Sequence, residues 1–131
     1  MKYVYKVILF GFLLLFLLDV IGSIISTKFN FPYSYFLPLS LLIYILIPVL
    51  VTKQNGLKFG ILSGALLGFF DSTIGWKISL FLRADTALVN ESSNVVWIFI
   101  IIVNTIFASL VALLASWLVS VFIGREKSKT K

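Results

Sequence analysis

Apolar character in this chain is gathered into four long runs, and that feature most narrows what it can fold into. A run of about 18 or more apolar residues outlasts an ordinary core helix and matches the hydrocarbon thickness of a bilayer, about 30 Å at 1.5 Å of rise per residue. The runs fall at about 7–25, 32–51, 57–76 and 95–123, followed by a basic tail at 124–131. They predict an all-α polytopic membrane protein: a four-transmembrane-helix bundle forming a single membrane domain over 1–131. Charged residues are 12% of the chain, about half the share a soluble domain needs to solvate its surface. The connections are too short for a second domain.

Each run carries its own boundary signals. The first follows Lys2 and Lys6, with Tyr3 and Tyr5 at interface depth. It is longer than a signal-peptide core requires and no Ala-x-Ala-like site follows, so it is read as a retained span. The second has Pro32 and Pro38 in its first turns, where a missing N–H costs little, and Pro48 near its end, where a bend is expected. Tyr33 and Tyr35 suit an aromatic interface belt. With almost no small residues, this span is expected to face lipid or to fill space. The third begins after the Asn55–Gly56 turn and stays apolar to Leu82, with Trp76 and Lys77 as an interface anchor. The fourth has Asn94 or Ser93 as a candidate N-cap. Its Trp97 and Trp117 lie about 30 Å apart along a helix, as two belts of one span would.

Lysine and arginine placement sets the expected orientation. With the N-terminus inside, Lys2, Lys6, Lys53, Lys58, Arg125, Lys127, Lys129 and Lys131 are cytoplasmic, and only Lys28, Lys77 and Arg83 are outside. Both termini are therefore expected in the cytoplasm, in a membrane of the bacterial cytoplasmic (inner) type. The net charge of +6 flanks apolar runs, which favours anionic headgroups as partner and speaks against nucleic acid. The Asn90-Glu91-Ser92 sequon falls in an outer loop and matters only in a glycosylating host. The chain has no Cys and no His, which removes disulfides, thiol chemistry, a zinc site and a His base. No cofactor or metal is implied.

Small residues recur in register. Gly56, Gly60, Gly64 and Gly68 are spaced by four, continued by Ser72, and the fourth run carries Asn104, Ala108, Ala112, Ser116, Ser120 and Gly124. In a membrane helix such spacing lets backbones approach, so that dispersion and Cα–H contacts replace a hydrophobic drive. Spans three and four are expected to pair antiparallel, with Gly56 beside Gly124, Gly64 near Ser116 and Ser72 near Ala108. The partner could instead be a second copy.

Two acids interrupt the apolar runs, Asp19 and Asp71. Counted from the outer ends, both lie about 8–10 Å below the interface, and Asn104 reaches a similar depth from the opposite chain direction. Asp71 falls in the glycine stripe; Asp19 shares a face with Gly22, Ser23 and Ser26. An intramembrane acid is costly unless protonated, paired or wet, which makes it a functional candidate. The candidate site is Asp19, Ser23, Asp71, Ser72, Asn104 and Thr105, with Tyr44 as a further donor. The bland reading is interhelical hydrogen bonding.

The run Gly64-Ala65-Leu66-Leu67-Gly68-Phe69-Phe70-Asp71 is similar over eight residues to a stretch of the third span of lipoprotein signal peptidases, four-span aspartyl proteases. The resemblance implies a second acid late in the fourth span, and none is there; the Asn before the acid and the Arg after it are also absent. No family is assigned. The leading expectation is a protein that is not an enzyme and acts through lateral helix association, as a homo-oligomer or a subunit of a membrane complex. The alternative is a small proton- or cation-linked transporter or channel using the acids and Asn104. A membrane aspartyl hydrolase stands third.

Overall fold

The computed structural model describes residues 2–82 and 94–129. Arg83, the sequon, Ser93 and Lys131 lie outside that set, and of Lys2, Asn94, Gly124, Arg125, Lys127 and Lys129 only the helical backbone is described. Helix α1 spans Lys2–Phe29, α2 Leu37–Asn55, α3 Leu57–Phe70, α4 Trp76–Phe81 and α5 Asn94–Lys129. A 3-10 turn, Tyr33–Phe36, leads into α2, and a π-helical turn, Asp71–Gly75, joins α3 to α4 without a break. There is no strand among the described residues. Four helical stretches, Tyr3–Phe29, Tyr33–Asn55, Leu57–Phe81 and Val95–Phe122, are long and apolar enough to cross a membrane.

Local chemistry accounts for the ends. Helix α1 closes where Asn30 takes a positive φ of 51°, a conformation Asn tolerates better than most residues. The turn is held by Phe31 N–H donating to the Ser26 carbonyl at 3.0 Å and by the Ser26 hydroxyl donating to the Phe31 carbonyl at 2.7 Å. Pro38 occupies the first turn of α2, where its missing N–H has no helical partner to lose. Gly56, at φ 88° and ψ 170°, makes the sharp reversal into α3 in a region almost closed to other residues.

Helices α2 and α3 lie side by side in the middle. Helix α1 covers one side of that pair and α5 the other, and α1 does not touch α5 among the described residues. Span two has both an inner face, where Tyr44, Ile47, Pro48, Val51 and Thr52 are buried, and an outer one, where Leu37, Leu39, Leu42 and Leu46 are exposed. Leu15 of α1, Ile47 and Val51 of α2 and Leu67 of α3 are fully enclosed, and Phe12 stacks on Phe70 with ring centroids 4.6 Å apart. Most remaining large apolar side chains point outward.

The glycine face of α3 meets the small-residue face of α5. A side chain on Gly60 would collide with Thr52 and Ser116, one on Gly64 with Ala112, and one on Gly68 with Ala108. The register differs from expectation by one turn, because Gly64 faces Ala112 where Ser116 was expected. Gly56 lies outside the seam. It is a hinge with open space where a Cβ would be, so the contact face begins at Gly60. Ser120 is half-buried, and its hydroxyl donates to the Trp117 carbonyl at 2.7 Å.

The π-turn redirects the outer part of this helix. In an unbroken α-helix Gly75 would fall about 20° from Gly68, on the α5 face. One residue more per turn rotates everything beyond it, and Gly75 instead abuts Asp19 of α1. The local sequence can afford the wider turn because hydroxyls serve its carbonyls. Ser72 donates to the Gly68 carbonyl at 2.7 Å and Thr73 to the Phe69 carbonyl at 2.6 Å. Ser72 does not meet Ala108 as expected, because with the register shifted by one turn Ala108 lies opposite Gly68.

Candidate functional site

Asp71 sits at a backbone irregularity, whereas Asp19 lies within the regular helix α1. Asp71 opens the π-turn, and π-turns inside helices gather at functional positions. Its Oδ2 accepts from the Tyr44 hydroxyl and, at 3.3 Å, from Asn104 Nδ2. Asp19 is 2% exposed. Its Oδ1 accepts from the Tyr33 hydroxyl at 2.6 Å, while its Oδ2 has no hydrogen-bond partner. Each carboxylate is thus held by one tyrosine from the second span.

Gly75 lies between the two acids. A Cβ there would collide with Asp19 Oδ2 and stand 3.0 Å from Asp19 Cγ and 3.1 Å from Asp71 Oδ1. The glycine lets carboxylates from two helices close on the same point. Gly22 does similar work on α1, since a Cβ there would sit 3.1 Å from Phe36 and 3.2 Å from the Tyr33 ring. Its bareness admits the 3-10 turn and brings Tyr33 to Asp19.

The acids open onto a cleft of about 730 Å³ between α2, the π-turn and α5. Asp19, Asp71, Asn104 and Ser72 line it together with Tyr33 and Tyr44. Two expected site residues do not. The Ser23 hydroxyl donates to Ser79 at 3.1 Å, tying α1 to α4. Thr105 lies behind the cleft, its Cα 3.2 Å from where a Cβ on Gly68 would be, and its buried hydroxyl has no partner. Lys77 is turned away from the acids, its Nζ 5.1 Å from the centre of the Trp97 ring.

Tyr33, Gly75 and Ser79 were not expected at the site. Tyr33 carries a belt-residue signature and stands there only because the 3-10 turn folds inward. Gly75 had a usable signal, four residues after Asp71 on a helix otherwise packed through glycine. Where the peptidase resemblance implied an acid late in the fourth span, the carboxylate beside Asp71 comes from the first helix. No group of three or more acidic, His or Cys side chains that could hold a metal occurs among the described residues. Comparison with protein families, curated proteins and solved structures returns no match to this chain.

Proposed function

We propose that this chain is a multi-pass protein of a bacterial-type cytoplasmic membrane, with both termini inside, that binds and passes a proton or a cation through the Asp19–Asp71 centre. The orientation rests on the eight-to-three distribution of Lys and Arg. The activity rests on one observation: two carboxylates from separate helices meet at Gly75 beside an open cleft, with Asp19 Oδ2 unpartnered. Like charges this close in a low-dielectric setting repel strongly. A proton or a cation relieves that repulsion, and exchange of one for the other is the elementary step of coupled transport. Asn104 and the two tyrosines hold the acids in place while the occupant changes.

The alternative, action through lateral association, draws on a seam that this fold spends internally between α3 and α5. Any lateral contact would use the outward apolar faces of the helices, which every span carries. The test of the transport reading is flux. Purified protein reconstituted into liposomes should dissipate an imposed pH or cation gradient, and Asp71→Asn should stop it while the protein remains folded. A wild-type protein that dissipates neither gradient, or an Asn variant equal to it, overturns the proposal.

A further inference from the structure

The walls of the cleft say more than its acids do. Besides the carboxylates, the Asn104 amide and the hydroxyls of serines and tyrosines, it is lined by bulky apolar side chains, among them Leu37, Leu41, Phe99, Ile100, Val103 and Phe107. Its 730 Å³ falls within the size of sites that enclose small organic molecules, about 300–1,000 Å³. An inorganic cation wants oxygen ligands on all sides, about six or more, and this cleft offers oxygen on its floor and hydrocarbon on its walls. An anion would meet two carboxylates, and no Lys or Arg is among the described lining residues. The hydroxyls of Tyr33, Tyr44 and Ser72 and the Asn104 amide already donate within the protein, which leaves few donors, chiefly the hydroxyls of Ser34 and Ser40, for a sugar or another neutral polar ligand.

We infer that the occupant is a lipophilic organic monocation, one positive charge carried on an apolar, ring-sized body. This rests on the transport reading and names its substrate class. The charge pairs with Asp19 Oδ2, buried and lacking a donor, and with the adjoining Asp71. The body lies against the apolar walls, where Phe99, Phe107 and Trp76 offer ring faces to a cation.

The experiment is equilibrium binding of radiolabelled tetraphenylphosphonium to the full chain in nanodiscs of neutral lipid, against empty nanodiscs. Saturable binding above the lipid background is expected, displaced by the unlabelled cation and not by neutral triphenylphosphine oxide. Asp19→Asn and Asp71→Asn should each weaken it about tenfold or more, the scale for removing one partner of a desolvated charge pair. Because these variants touch the packing of the acids, Ser40→Lys gives a second reading. It leaves both carboxylates in place and should abolish binding by adding a fixed cation to the cleft wall. Equal competition by the neutral compound, or full binding by folded Asn variants, overturns the inference. Acid-dependent proton or inorganic-cation flux without tetraphenylphosphonium binding overturns the substrate class and leaves the transport reading standing. Binding without flux does the reverse.

Discussion

The methyl group of Ala112 fills the space that a side chain on Gly64 would need. That relationship fixes the spacing of α3 and α5, and it gives the glycines of one stripe different sensitivities. Gly64→Ala should destabilise the protein by about 1–3 kcal/mol through overpacking, and Gly64→Leu should separate the helices. Gly56→Ala should cost a similar amount for another reason. Nothing lies within 4 Å of its Cβ position, but φ is 88°, and the strain of such backbone in a residue with a side chain is about 1–3 kcal/mol. Denaturation in detergent compares the two. Lengthening the turn by a second glycine should rescue Gly56→Ala and leave Gly64→Ala unrescued.

The two tyrosines should not be equivalent. Tyr44→Phe leaves Asp71 with Asn104, whereas Tyr33→Phe leaves the buried Asp19 without the one donor described for it. A hydrogen bond to a charged group contributes about 1.5–3 kcal/mol, and interhelical bonds in membranes often less. Thermal unfolding should rank Tyr33→Phe as the more damaging. The reverse order would show that Asp19 is satisfied by groups other than Tyr33.

Gly75→Ala separates packing from activity. The added methyl must push Asp19 and Asp71 apart, while the exchange itself raises helix propensity by about 1 kcal/mol. Stability should move by no more than about 1–3 kcal/mol, and proton or cation flux should fall about tenfold or more. Flux equal to the wild type would mean that the acids act independently.

A chain without cysteine is suited to single-cysteine mapping. Lys53→Cys should react with an impermeant maleimide only after the cytoplasmic side is opened, and Lys28→Cys should react from outside in intact cells. The opposite pattern would invert the proposed orientation.

The helical runs were plain in the sequence because length and apolarity alone decide them, although α1 reaches Phe29 and α2 reaches Asn55, past the expected ends. Counting residues from the span ends put Asp19, Asp71 and Asn104 at one depth, and all three line one cleft. Rotation was harder. A constant 100° per residue carries Gly75 onto the α5 face, and the π-turn breaks that arithmetic after Asp71. The hydroxyls of Ser72 and Thr73 that support the wider turn were visible, but hydroxyls in a membrane helix have many uses. Tyr33 was hidden by its chemistry, since an interface tyrosine and an acid-holding tyrosine look the same until the chain bends.

A π-turn is what one inserted codon leaves in an α-helix. A chain shorter by one residue between Asp71 and Gly75 would place Gly75 six residues after Gly68, about 120° from it around a regular α-helix and still off the α5 face. Gly75 would keep its direction towards Asp19, and only the wider turn would be gone. The π-turn thus lets seven residues cover the rotation of six, and a single-residue deletion there should leave a regular helix whose outer part still faces α1.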